Sequence, residues 1–295
     1  MEQKFKSLTI FEFQNKFPDV PSCLEYLSAI KWGQDFTCVK CGHHHYFEVN
    51  QKSYIRQCTS CRHTESATAG TLFHKVKFSI LKAFYIIYYV SNSKKGISST
   101  ELSRRLGLRQ KTCWYFKQKV MSAMKSSGNH PMKNRVEVDE TVIGGQEEGV
   151  RGRKNESKKL VAVAIEHTGK GVSRMYAKVI QHASSKELGK FMRFHIDPDT
   201  VIKTDKWAGY TPLKKDFSKL IQVKSGSKGN NFPEMHRVIM GLKGWLRGIH
   251  HHVENLQAYL DEYSYRFNRN FMKKGIFDNL LSRMMICAPY YLNRT

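Results

Sequence analysis

Apolar residues recur along this chain with two different periods, and the change from one to the other divides it. In the first part the spacing is helical. "IFEFQNKF" predicts a short helix closed by Pro18, and "PSCLEYLSAIKW" predicts a second, opened by Pro21 and Ser22 and stopped by Gly33. "LKAFYIIYYV" places Leu81, Phe84, Tyr85 and Tyr88 at the spacing of a core-facing helix. In "SSTELSRRLGL", Ser98 and Glu101 form a capping-box pattern, Leu102 and Leu106 a stripe, and Gly107 a stop. "RQKTCWYFKQKVMSAM" follows, with Cys113, Phe116, Val120 and Met124 as its buried side.

After the turn-rich "KSSGNHP", alternation takes over. "NRVEVDETVIGG", "KLVAVAIE" and "RMYAKVI" read as three successive strands, and "SSKELGKFMRFH" as a helix opened by Ser184 and Glu187. "TVIKTDKWAGY" contains a fourth strand ending at Asp205, "KLIQVKS" a fifth, and "EMHRVIMGLKGW" a long helix. The predicted order is β-β-β-α-β-α-β-α, the arrangement of an RNase H-like fold. The expected fold class is therefore α+β multidomain: a helical segment (1–33), a Cys-rich ribbon (34–76), a helix-turn-helix (77–130) and an RNase H-like α/β domain (134–295).

Charge narrows the partners. Lys and Arg number 49 against 25 Asp and Glu, a formal net charge of +24 spread over all 295 residues. A folded chain this basic expects a polyanion, and nucleic acid is the commonest one. A membrane is not expected as a partner: the longest apolar run, 80–90, is too short to span a bilayer and contains Lys82. The N-terminus lacks a signal-peptide pattern, so a cytoplasmic, reducing location is expected.

In such a compartment cysteine pairs point to metal. "CVKC" and "CTSC" set Cys38/Cys41 and Cys58/Cys61 as two knuckles sixteen residues apart, with β-like sequence between them. Four thiolates with no open position suit a structural Zn²⁺. His43, His44 and His45 are then left as surface residues facing phosphate. In the helix-turn-helix the exposed candidates of the second helix are Gln110, Lys111, Trp114, Tyr115 and Lys117, against the alternative of an ordinary helical hairpin with a solvated basic face.

Asp139 lies on the first strand of the RNase H-like pattern and Asp205 ends the fourth. In that fold the two strands are neighbours, so the carboxylates converge to hold two Mg²⁺ ions for phosphodiester displacement. His236 and Lys243 share a face of the last helix, with Glu234 two residues away. Trp207 and Tyr210 read as packing residues or, beside such a site, as surfaces on which a base can stack. Asp261 and Glu262 are expected to face solvent or to pair with Arg266.

These motifs carry a resemblance. "FPDVPSCLEYLSAIKWGQDFTCVKCG", "VEVDETVIGG", "IKTDKWAGY", "LKGWLRGIHHHV" and "YLDEYSYRFNRN" resemble the bacterial insertion-sequence DDE transposases with an N-terminal zinc ribbon, relatives of the eukaryotic Merlin elements. The resemblance implies that Asp139 and Asp205 are the first two ligands of catalytic Mg²⁺ or Mn²⁺ and that Lys243 contacts transposon-end DNA. It implies a nucleoid-associated bacterial enzyme that binds terminal inverted repeats, cuts them and joins them to target DNA, as at least a homodimer on DNA. The chain departs from the family at the third ligand. Where much of the family has a glutamate seven residues before the lysine, this chain has His236; where a subgroup with histidine has asparagine two before the lysine, it has Gly241. His236 is the positional third ligand, with Glu234 as the alternative. The competing function is a transposase-derived DNA-binding protein without catalytic activity.

Overall fold

The computed structural model describes residues 7–33, 35–93, 95–144, 158–169, 171–226, 230–249 and 255–290. The chain forms two compact units, one of residues up to Met124 together with those from Phe271 on, the other Lys125–Asn270.

In the first unit, α1 (Ile10–Lys16) begins at Thr9, whose capping box with Glu12 is complete. Helix α2 (Val20–Trp32) is capped by Asp19 through a reciprocal bond to Ser22, ahead of the predicted opening at Pro21 and Ser22, and ends at Gly33 as its sequence predicts. Three short strands, β1 (Tyr46–Glu48), β2 (Ile55–Cys58) and β3 (Thr64–Ser66), make an antiparallel sheet in that order. Helices α3 (Ile80–Asn92), α4 (Ser99–Leu106) and α5 (Gln110–Ser122) follow. The buried face of helix α3 differs from the predicted stripe: Phe84 and Tyr88 are buried together with Ala83, Ile86, Ile87 and Val90, whereas Leu81 and Tyr85 are half-buried.

The reason lies at the other end of the chain. Helix α9 (Gly275–Ile286), expected in the segment 134–295, packs instead among the N-terminal helices. Phe277 meets Phe13, Phe17 and Phe84 with ring centroids 5.6, 5.7 and 6.2 Å apart. The polar rim agrees: Asp278 accepts from Tyr26 at 2.7 Å and from Lys16 at 2.9 Å.

The second unit is a five-stranded mixed sheet. Its strands are β4 (Val136–Ile143), β5 (Lys159–Thr168), β6 (Gly171–Ile180), β7 (Ile202–Thr204) and β8 (Leu220–Gln222), in the order β6-β5-β4-β7-β8. The first three are antiparallel neighbours, and β7 and β8 run parallel to β4. This is the RNase H-like topology that the sequence predicts. Alternation sends Val136, Val138, Ala162 and Ala164 to a core shared with Leu188, Phe191 and Met192 of α6 (Ser185–His195). Val161, Val163 and Ile165 face the other way, against Met235, Ile239 and Leu242 of α7 (Pro233–Ile249) and Leu256 and Leu260 of α8 (Leu256–Asn268).

One expected α-helix is absent. The residues between β7 and β8 form 3₁₀ turns, Ala208–Lys215, with Pro212 inside. Proline supplies no amide hydrogen for an i→i−4 bond, which favours the shorter turns here.

Candidate active site and nucleic-acid interface

The ribbon knuckles are two copies of one turn. Cys38 N–H donates to the His43 carbonyl and Cys58 N–H to the His63 carbonyl, both at 2.9 Å. The residue after each second cysteine, Gly42 in one and Arg62 in the other, takes a positive φ (75° and 60°) that bends the chain back. Thr59 N–H donates to the His45 carbonyl at 3.1 Å and ties the knuckles together. All four Sγ atoms lie within 4.8 Å of one another, with Cys38–Cys61 and Cys41–Cys58 at 3.6 Å. A tetrahedron with Zn–S bonds of ~2.3 Å has edges of ~3.8 Å, so the donor set fits zinc in size and in chemistry.

In the helix-turn-helix, Ser98 accepts the Glu101 N–H at 3.1 Å. The Glu101 carboxylate turns outward to Arg105 (2.7 Å) and Arg104 (3.5 Å). Gly107 closes α4 in the left-handed region, φ 58°. The predicted buried side of α5 is buried: Cys113, Phe116, Val120 and Met124. Among the expected DNA-facing residues, Gln110 and Lys111 are exposed, Trp114 is 36% exposed and Tyr115 is half-buried. Gln110 also donates to Ser99 Oγ at 2.7 Å, fastening the two helices. Lys117 is corrected: it is 2% exposed, and its ammonium donates to the Ile97 carbonyl at 2.9 Å. Its position, four after Cys113 and three before Val120, puts it on the apolar stripe, where it supports the turn rather than reaching solvent.

In the sheet, Val138 pairs with Thr204 across the parallel β4–β7 ladder. Asp139 and Asp205, each one residue further on, are therefore neighbours at the same end of the sheet. Asp139 lies opposite Val163, whose side chain packs under α7, so Asp139 points to the α7 face. Asp139 Oδ1 accepts the N–H of Glu140 at 2.8 Å and Asp205 Oδ1 that of Trp207 at 3.0 Å. On α7, His236 is half-buried, and its Nε2 is inaccessible with no hydrogen-bond partner among the described residues. Glu234, the alternative third ligand, is ion-paired with Arg237. Lys243 is half-buried; burial first, then Arg247, holds its pKa below the usual lysine value.

Among the described residues the four cysteines are the one His, Cys, Asp and Glu group whose ligand atoms all lie within 4.8 Å. Asp139 and His236 lie on the α7 side of the sheet and Asp205 just beyond the end of β7, and the three do not close to that distance. Two hard carboxylate donors and an unpartnered imidazole nitrogen nevertheless suit a divalent ion, with Mn²⁺ favoured over Mg²⁺ by the nitrogen. Gly241 has a packing reason: a Cβ there would lie 3.0 Å from Tyr263 Oη on α8.

Sequence reading missed a second pair on the same face. Glu137 and Lys203 each lie two residues before a site aspartate. Lys203 Nζ is 3.9 Å from Glu137 Oε1 and donates to the Asn231 carbonyl, just before α7. His167 Nε2 is 3.5 Å from the same Glu137 oxygen. The period of two was the available signal. Tyr210, read as a packing residue, is fully buried; desolvation, then the charges of Glu140, Asp139 and Asp205, keeps its phenol well above the usual tyrosine pKa. Glu262 is buried and paired with Arg266 at 2.9 Å, and Asp261 is half-buried rather than solvated. The histidines 250–252 lie outside the described residues.

No protein of curated function matches the chain in sequence. Among solved structures, it is similar to a pre-cleavage Mos1 transpososome (TM-score 0.30, 10% identity, 70% of this chain and 79% of that one). It is also similar to a Mos1 paired-end complex with the left transposon end (0.31, 12%, 68% and 78%). Likeness this slight adds no weight to the fold, which stands on the strand order. No described helix is long and apolar enough to cross a membrane. Residues 131–268 match the ISXO2-like transposase domain and residues 20–64 the transposase zinc-ribbon domain. The chain thus carries a transposase zinc-ribbon domain followed by an ISXO2-like transposase domain, consistent with a DDE-type insertion-sequence transposase.

Proposed function

We propose that this transposase binds the terminal inverted repeats of its element through the zinc ribbon and helix-turn-helix, cuts there, and joins the freed 3′-hydroxyls to target DNA. The observation that supports the reading is the Val138–Thr204 pairing, which makes Asp139 and Asp205 neighbours at one end of the sheet whose α7 face also carries His236's helix. Asp139, Asp205 and His236 would hold the catalytic Mg²⁺ or Mn²⁺. Such ions activate the attacking oxygen and stabilise the leaving one. Lys243, seven residues along the same helix face from His236, would meet a phosphate near that centre. Cys38, Cys41, Cys58 and Cys61 would hold a structural Zn²⁺. Gln110, Lys111, Trp114 and Tyr115 supply the exposed face of α5 for the major groove, and the surrounding positive charge supplies affinity for phosphate. Joining two ends in one event requires at least two copies on DNA.

The test is cleavage and strand transfer on DNA carrying the gene's own flanking ends, in Mg²⁺ and in Mn²⁺. Wild type should cut and join, Asp139→Asn and Asp205→Asn should bind without cutting, and His236→Ala should be severely impaired. Full cutting by His236→Ala would move the third ligand to another residue, with Glu234→Gln next. Tight end binding without cutting by wild type, with cutting gained in His236→Glu, would favour the transposase-derived DNA-binding protein.

A further inference from the structure

Three ionisable side chains meet on the α7 side of the sheet, outside the proposed metal site: Glu137 on β4, His167 on β5 and Lys203 on β7. Glu137 is 4% exposed and His167 7%. Glu137 Oε2 and His167 Nε2 are inaccessible, with no hydrogen-bond partner among the described residues. A carboxylate this buried needs a cation beside it. Lys203, its pairing position across the parallel β4–β7 ladder, brings Nζ to 3.9 Å from Oε1. That distance makes an ion pair without a hydrogen bond. The hydrogen bond of the ammonium goes elsewhere.

Lys203 Nζ donates to the Asn231 carbonyl and lies 4.4 Å from the centre of the Phe232 ring, within cation–π range. Asn231 and Phe232 are the last two residues before α7, and both are fixed. Asn231 donates its N–H to the Ser225 carbonyl at 3.3 Å and its side-chain amide to the Lys224 carbonyl at 2.8 Å. Phe232 is buried in the core between the sheet and α7. Its carbonyl accepts the N–H of His236 at 3.0 Å. Pro233, whose fixed φ suits the first helical position, follows it directly. His236 thus stands about one helical turn from the residue on which the ammonium rests. One side chain therefore joins three elements: β4 carries Asp139, β7 leads into Asp205, and α7 carries His236.

We propose that Lys203 is a positioning residue for the metal centre. It ties the start of α7 to β4 and β7, and so sets where the imidazole of His236 stands relative to the two carboxylates. The role rests on the transposase reading above and deepens it. Lys203 touches neither the ion nor the DNA; it acts through His236. Groups that orient a metal ligand contribute on the order of 10–100-fold to metal affinity or activity. Methionine at this position keeps the length and loses the donor, whereas arginine keeps a cation that donates to the same carbonyl.

The experiment uses the full chain with Mn²⁺, read by pulsed electron paramagnetic resonance, together with cleavage of end DNA. Wild type should show the nitrogen modulation of a coordinated imidazole, and His236→Ala should abolish it. Lys203→Met should weaken that signal and lower Mn²⁺ affinity roughly tenfold, and Lys203→Arg should retain both. Lys203→Met combined with Glu137→Gln leaves no unpaired buried carboxylate, so it should fold as wild type does and show the same loss. Lys203→Met should slow cutting roughly tenfold in the wild-type background but less than about twofold in the residual cutting of His236→Ala. Equal slowing in both backgrounds would mark Lys203 as a support for the strands at large and overturn the proposal. So would an imidazole signal that persists in His236→Ala, which would move the third ligand elsewhere. If wild type binds no Mn²⁺ and neither binds nor cuts end DNA, the transposase reading falls and this proposal with it. If wild type does all three and Lys203→Met matches it, this proposal alone falls.

Discussion

Glu166 gives the sharpest test of how the RNase H-like unit is held together. Its carboxylate is 2% exposed and collects donors from two parts of the chain. Arg174 reaches it through Nε at 2.5 Å and Nη2 at 3.0 Å. The main-chain N–H groups of Lys133 and Asn134, at the entry to the strand that carries Asp139, donate at 2.9 and 3.1 Å. Burial alone would raise the pKa, but Arg174 and the two amides outweigh it and hold it at about 2, against an ordinary 4.5. At ~1.4 kcal/mol per pH unit, that drop corresponds to roughly 3 kcal/mol favouring the folded state at neutral pH. The folded pKa is depressed, so the contribution is complete above about pH 4.5 and is lost as pH falls towards 2.

Glu166→Gln keeps the shape and removes the charge. It should cost about 3 kcal/mol at pH 7, or on the order of 6–12 °C in melting temperature for a unit of this size. Differential scanning calorimetry at pH 7, 5 and 3.5 measures both the loss and its pH dependence. The gap between wild type and Glu166→Gln should narrow at pH 3.5, and a cycle with Arg174→Met should show strong coupling. A loss below ~1 kcal/mol at pH 7, or a gap that does not change with pH, would refute the reasoning.

Asp261 should behave in the opposite sense. Burial, only partly countered by the Gln257 amide, raises its pKa from 3.8 to about 6. Its folded pKa lies above the unfolded one, so stability falls as pH rises from about 4 through 6, and Asp261→Asn should be more stable than wild type at pH 8 but not at pH 3.5. Lys117→Ala leaves the Ile97 carbonyl without its donor and opens a space in the helical unit, so a loss of roughly 2–4 kcal/mol is expected in denaturant melts. Lys111→Ala should leave stability alone and reduce the salt dependence of end binding by about one counterion. Cys58→Ser should lose bound zinc in a chelator assay and lower the first thermal transition, whereas His43→Ala should do neither.

The sheet was legible because its sequence obeys two rules at once. The period of two in "VEVDETVI" and the unbroken apolar run of "KLVAVAIE" both read as strands, and an aspartate on the first strand with another at the end of the fourth marked the candidate site. The ribbon was legible because the spacing of its knuckles admits little else. Lys117 was misread because residue type was allowed to outweigh period: its position lies on the apolar stripe of α5, and a lysine can be buried there when a carbonyl receives its ammonium. The place of α9 could not be read at all. Periodicity shows that Phe277, Leu280 and Leu281 share a buried face, but not that the partners of that face lie near the start of the chain. Likewise, pattern placed Trp207 and Tyr210 together in one turn; only the fold shows that Tyr210 is interior and Trp207 exposed.

Helix α9 has a consequence for biosynthesis. Phe13, Phe17 and Phe84 are made early, yet the aromatic ring that completes their cluster belongs to residue 277. At ~5–20 residues per second, translating the intervening Lys125–Asn270 takes on the order of ten seconds, during which the early helices wait with an open apolar side. The RNase H-like unit can complete its sheet before the helical unit closes. A message cut short before α9 yields a polypeptide whose N-terminal helices lack their last wall.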